Sequence, residues 1–364
     1  NDLSCNIAAS PITGIHHQIK IFLLCGHKSK PELQGQGLQT RRCICFSAGH
    51  RCNGVILGSA GFTNIQRCQI KAVSMQQVFK QNHAACASVA HDTKRIVLGS
   101  GTINMPNSHP AAIAAQVAML DHMLQGRFIM GISPGGLMSD AEVFGNLGKD
   151  RNAMFLECIN MVLAIWDGES PYDLAGQFFN VTTAKTRIAE IGQGAILKPY
   201  QKPHPPIVVT AVAPHSKGVT EAAKRGWTPI SANFLLPEWV ASHWPKYVEG
   251  CTSINKKPDG KDWRVAKSIF VADDERTAKE YGHGPKGPYH FYFKQLIRKL
   301  VGAGNRGNLF KLDPGEPDAA ITADAMTPRL TIAGTVNEVV EQILAFREKV
   351  GPFGTLYYPC HDWV

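Results

Sequence analysis

With 364 residues, 44% hydrophobic and 18% charged, and with 34 glycines and 22 prolines in no regular period, the chain is neither disordered nor collagen-like. Its net charge of +9 does not point to nucleic acid, because residues 1–80 hold nine Lys or Arg against two acids, Asp2 and Glu32, and the rest is nearly balanced. No stretch reaches the ~18 consecutive apolar residues of a membrane span and no basic-then-apolar leader opens the chain, so nothing in it directs export and a cytoplasmic setting is expected.

Residues 1–83 are rich in Cys, Gln, Ser and His and show little sustained periodicity; seven of the ten cysteines precede residue 87. Cys43, Cys45, His50 and Cys52 are residue types that bind zinc. Cys-x-Cys followed by His-x-Cys is not a common zinc spacing, however, and no metal site is expected. A disulfide framework would need an oxidising compartment. A basic nucleic-acid arm would need interleaved aromatics that the segment lacks. The segment reads as an atypical Cys-rich, basic stretch attached to a well-specified domain over 84–364. An aberrant translation of that domain's first part would produce such a break, since natural sequences agree with their fold at every level.

From residue 94 the pattern is regular. Ile96 to Ile103 is an apolar run closed by glycine, the signature of a buried parallel strand. Pro110 sits at a helix start behind Ser108 as a candidate cap. Ile113, Val117, Leu120 and Leu124 then form one apolar face, with Gln116, Asp121 and His122 off it. Gly126 ends that helix, Phe128–Ile132 is the next strand, and Ser133-Pro134-Gly135-Gly136 is its exit loop. Met154 to Trp166 reads as helix. A proline-rich extended run, 198–206, leads into a strand at Ile207–Ala211. Further strands are expected at 229–231, 265–272, 331–334 and 354–358. Helices are expected at 219–224, 237–248, 274–281 and 290–301, and after Thr335, where Val336, Val339, Val340 and Ile343 form the inner face. Strands alternating with one-sided helices predict an α/β fold, a parallel sheet covered by helices. In a barrel of this kind the chemistry lies at the C-terminal ends of the strands.

The runs LGSGTINMPNSHP (98–110), VAMLDHMLQGRF (117–128), GISPGGLMSDAEVFG (131–145) and KPYQKPHPPIVVTAVAPHS (198–216) resemble the bacterial luciferase-like flavin monooxygenases. The likeness is greatest to the branch that oxygenates terpenes and other hydrophobic carbonyls or alkenes. It covers roughly residues 84–364. The resemblance implies a (β/α)8 TIM barrel, usually a homodimer, that takes reduced FMN from a separate flavin reductase and uses it with dioxygen on a small hydrophobic substrate. Two other readings stay open: a deazaflavin-dependent oxidoreductase of the same fold, and a non-catalytic flavin-binding relic. The family opens with a barrel strand, carries a Glu-His or His-His element after its third strand, and closes with a helix beyond its last. Residues 1–83 show neither of the first two and the chain stops at Val364. The expectation is therefore a barrel with an atypical start and without its closing helix.

The cofactor residues follow from the same resemblance. Gly101 and Thr102 align with the place where the family holds a non-prolyl cis peptide beneath the flavin. Ser133, Pro134 and Gly135 form the loop that lies against it, with Pro134 standing where luciferases have Arg. Ala213 and the helix start at His215, Ser216, Lys217 and Gly218 are expected to hold the FMN phosphate, for the physical reason that free helix N–H groups attract anions. Arg151 is a second phosphate partner. Asp140 aligns with a family acid that a helix cap explains equally well, and His109 is expected to be structural. No catalytic acid or base is assigned.

Overall fold

The computed structural model describes residues 55–58, 86–302 and 306–359. The Cys43, Cys45, His50 and Cys52 quartet and the chain end, where the closing helix was expected to be absent, lie outside these residues. In chain order the main elements are β1 (Val55–Gly58), β2 (Leu98–Gly101), β3 (Ile103–Asn104), α1 (Pro110–Met123), β4 (Phe128–Ser133), α2 (Met138–Val143) and α3 (Arg151–Asp167). A hairpin of β5 (Asp173–Ala175) and β6 (Asn180–Thr182) follows, then β7 (Ile207–Ala211), α4 (Lys217–Lys224), β8 (Thr228–Ser231), α5 (Pro237–Ala241) and α6 (His243–Ser253). The last part holds β9 (Arg264–Ala266), β10 (Ser268–Val271), α7 (Glu275–Gly282), α8 (Pro288–Ile297), α9 (Ala323–Leu330), β11 (Thr331–Gly334), α10 (Val336–Val350) and β12 (Thr355–Tyr357).

The main sheet runs β1-β2-β4-β7-β8-β9-β12, with β3 also on β4, and its pairings are parallel. Beside it β10 pairs in parallel with β11. Among the described residues this is a half-barrel of parallel strands clothed by helices. The continuous apolar runs read from the sequence are its inner strands, buried on both faces as a helix-covered parallel sheet requires. Val55–Gly58, inside the segment read as atypical, forms β1, which pairs residue for residue with β2.

Several local readings are corrected. α1 is capped by His109, not Ser108: its Nδ1 accepts from the Ala111 amide at 3.3 Å, and its Nε2 donates to the Asn180 carbonyl at 3.0 Å. Asp121, placed off the apolar face, is fully buried. The expected helix 237–248 is two helices that meet at Ser242. On α10, Val336 and Val340 are 52% and 51% exposed, while Val339, Phe346 and Val350 are buried and Ile343 packs beside them. The true stripe is 339-343-346-350, one residue (about 100° on the helix) from the 336-340 line. The hairpin β5–β6 was not foreseen. Glu157 on α3 holds it by accepting the backbone N–H groups of Gln177, Phe178 and Phe179, each at 2.8 Å.

Two large apolar clusters result. One packs α1 and α3 against β2, β4 and the start of β7. The other lies around β9, β11, α8 and α10. Among the described residues no helix is long and apolar enough to cross a membrane.

Candidate functional site

β2, β4 and β7 are consecutive neighbours, so the loops at their C-terminal ends lie side by side. Ten of the eleven residues expected to hold a cofactor lie at the ends of these strands, on the loops after them or at the start of α4; the eleventh, Arg151, starts α3. At the first loop, the Gly101–Thr102 peptide is cis, as the resemblance implied. Beside it, Ser100 Oγ and Gly131 exchange two bonds: the hydroxyl donates to the Gly131 carbonyl at 3.0 Å and accepts the Gly131 amide at 2.9 Å. A Cβ at Gly131 would collide with the Ser100 carbonyl, so this close crossing of β2 and β4 admits glycine alone.

Ser133 is the hub of the second loop. Its hydroxyl donates to Asn104 Oδ1 at 2.7 Å and accepts the Gly135 amide at 3.3 Å. The Thr102 hydroxyl, 2.7 Å away, is then the donor to Ser133. Gly135 has φ +76, a left-handed conformation that favours glycine, and the Asn104 side chain packs beneath it. Asn104 Nδ2 is buried without a hydrogen-bond partner among the described residues. Sequence reasoning passed over Asn104, because a lone Asn after a strand carries no local signal. Pro134 is half-buried in the same loop. Arg151, the first residue of α3, reaches back and donates to the Gly135 and Leu137 carbonyls at 3.4 Å each. It belongs to the same corner as the Ser133 loop.

The third loop leads into α4. Ala213, His215, Lys217 and Gly218 are exposed. Ser216 is the N-cap of α4, but its side chain caps nothing there, so the amides of Lys217 and Gly218 keep no side-chain acceptor of that kind. His215 departs from expectation. Its amide already donates to Ser242 Oγ at 2.9 Å, so it offers its ring and not its N–H. The donors left at this end are a hydroxyl, an ammonium and helix-start amides, a set that suits a phosphate. Asp140 is buried in the first turn of α2, whose N-cap is Leu137, so it is not a cap. Cys86 and Cys158 are buried, and burial pushes both thiols up to about 12, helped at Cys158 by Glu157, so neither supplies a thiolate.

A model of the luciferase-like monooxygenase family matches residues 74–352. The chain belongs to that family. The luciferase-like chain is 26% identical over 286 residues to 4-hydroxyprotoasukamycin monooxygenase of Streptomyces nodosus subsp. asukaensis, covering 76% of this chain and 71% of the relative. To limonene 1,2-monooxygenase of Rhodococcus erythropolis it is 28% identical over 282 residues, 76% of this chain and 66% of that one. Its structure resembles the oxygenating constituent of 3,6-diketocamphane monooxygenase from Pseudomonas putida, a type II Baeyer-Villiger monooxygenase solved with FMN. The TM-score is 0.65 at 25% identity, over 77% of each chain. The fold is thus the luciferase-like TIM barrel.

In this luciferase-like chain the most recognisable motif residues are frame and not chemistry. Asp121 accepts the Gln201 amide at 2.8 Å and its Nε2 at 2.7 Å, tying α1 to the proline-rich entry of β7. Arg127 donates to the carbonyls of Ala90, Thr93 and Ile96 and to the Thr93 hydroxyl, closing the turns that precede β2.

Proposed function

We propose that this flavin-dependent monooxygenase uses reduced FMN, delivered by a separate reductase, to insert one oxygen atom into a small hydrophobic ketone or alkene, and that it works as a homodimer. The observation that carries the reading is the gathering of Thr102, Ser133, Arg151 and the Ser216–Gly218 helix start at the C-terminal ends of three adjacent strands. That is the end of a barrel where chemistry is placed. When bound, reduced FMN supplies two electrons to dioxygen; one oxygen atom enters the substrate and the other leaves as water. The chain's own part is to position and to exclude water. Ser216, Lys217 and the first amides of α4 bind the phosphate. The Ser133 loop, stiffened by Thr102, Asn104 and Arg151, sets the wall against which the ring would lie, the Ser133 hydroxyl being spent on holding the loop itself. In this reading the well-specified part of the barrel spans 84–364, with β1 as a strand contributed from the segment ahead of it.

Ser216→Asp tests it. An aspartate is a good N-cap, so α4 should hold or gain stability. The added negative charge should weaken FMN binding by one to a few kcal/mol, roughly the worth of charge-assisted hydrogen bonds. Unchanged FMN affinity removes the loop from the reading. With a supplied reductase and a panel of cyclic ketones and alkenes, oxygen uptake should accompany a product one oxygen atom heavier. Hydride transfer with a deazaflavin and no oxygen uptake would overturn the assignment.

A further inference from the structure

The loop after β7 has no regular structure, yet it is held from below at two points by consecutive residues of another element. His243, the first residue of α6, is fully buried and both ring nitrogens are engaged. Nε2 lies 2.8 Å from the Ala213 carbonyl, which only accepts, so this nitrogen carries the proton. Nδ1 is then the acceptor, and the Ser231 hydroxyl donates to it at 2.8 Å. Ser231 Oγ in turn accepts the Trp263 indole N–H at 3.0 Å. An indole only donates and a carbonyl only accepts, so every proton in the chain Trp263–Ser231–His243–Ala213 has one place.

Ser242 supplies the second point. Its Oγ accepts the His215 amide at 2.9 Å and donates to the Trp239 carbonyl at 2.6 Å. His215 has φ +49, a left-handed conformation uncommon for residues other than glycine. Its ring meets Trp239 edge-on, with centroids 5.9 Å apart. The loop is thus gripped on both sides of Pro214 by two residues at the junction of α5 and α6.

We propose that Ser242 and His243 are positioning residues that set the loop from Val212 to Ser216, and through it the strength with which the chain recognises the phosphate of a flavin mononucleotide over the flavin ring. The inference rests on the phosphate reading of that loop. It goes further by assigning phosphate selectivity to two side chains that stand behind the loop and touch no ligand.

The experiment compares FMN with riboflavin, which has the same ring and no phosphate. Both are bound in reduced form without oxygen to the full chain and to His243→Phe, His243→Gln and Ser242→Ala. The wild-type chain should prefer FMN. His243→Phe keeps the volume and removes both bonds. It should weaken FMN roughly three- to tenfold, the effect of one or two neutral hydrogen bonds, while riboflavin changes less than about twofold. His243→Gln, which can still donate to Ala213, should recover part of the preference. Ser242→Ala removes the His215 anchor and the local bond to the Trp239 carbonyl but leaves the His243–Ala213 link, so it should narrow the preference by a smaller factor, and it carries the test if His243→Phe does not fold. Equal losses for FMN and riboflavin would mean a merely structural role and overturn the inference. So would a folded variant pair with an unchanged FMN-to-riboflavin ratio. A wild-type chain that binds both flavins equally would overturn the phosphate reading itself, and the inference with it.

Discussion

The two large apolar clusters each meet a buried charged side chain, and they treat it differently. Asp121, beside the first cluster, is fully buried and accepts two short bonds from Gln201. Gln201 Nε2 also donates to the Phe128 carbonyl, so strand, helix and loop share one polar knot. Lys267, against the second, is nearly as buried. It has only the Arg329 carbonyl at 3.5 Å and the Phe346 ring at 5.1 Å, with no carboxylate within ion-pairing distance among the described residues. Burial pulls its ammonium down to about 7. A buried charge stabilises only where protein donors or acceptors replace its water. By that measure Asp121 is a tie and Lys267 is a charge the fold tolerates.

The sharpest way to break the comparison is Asp121→Ala, which strands the Gln201 donors inside the protein. It should lower unfolding free energy by ~3–5 kcal/mol, the loss of two hydrogen bonds to a charged group. Urea unfolding measures it, and a loss below about 1 kcal/mol would show that Gln201 finds other partners.

His243 sets the next effect, through pH. Burial, its largest cause, lowers the imidazole from 6.5 to about 4 in the folded chain. Between those two values the unfolded chain binds a proton that the folded chain refuses. Stability from this group is therefore full above about pH 6.5 and falls as the pH drops towards 4, by on the order of 3 kcal/mol. Unfolding free energies measured from pH 7 to 4.5 should slope less in His243→Gln than in the parent chain. Parallel slopes would show that other groups govern acid unfolding.

Lys267→Met is the smallest and has the opposite sign. Replacing an unpaired buried ammonium with an apolar chain of similar length should stabilise the protein by roughly 2 kcal/mol at pH 7. The parent lysine is neutral in the folded chain above about pH 7, while the unfolded chain keeps its proton to about pH 10.5. The parent therefore gains stability across that window, and the advantage of the variant should shrink. A gain that holds constant from pH 7 to 9.5 would mean that Lys267 is not the titrating group.

Much of the frame was legible because its signals are local. A strand buried on both faces is a continuous apolar run, and a chain that must leave it turns at Gly or Pro. β2, β4 and β7, with the Gly101, Ser133 and His215 loops, could be placed on that basis and on the motif likeness. The α10 stripe was misplaced because Val336, Val339, Val340 and Ile343 are all apolar, and composition alone does not say which line of a helix meets the sheet.

The β5–β6 hairpin and the break at Ser242 aside, the sequence by itself determined the alternation of the main strands and helices from β2 onward, the parallel α/β class and the three loops at one end of the sheet. Each of these follows from residues within a few positions of one another. Only the tertiary structure decided what each polar atom meets. Asp121 and Gln201 are 80 residues apart, and His243 finds Ala213 across 30. Asn104 becomes part of the site only because Ser133, 29 residues on, donates to it. Hydrogen bonds are short and directional, so such partnerships exist only once packing has set the distances. Periodicity carries no trace of them.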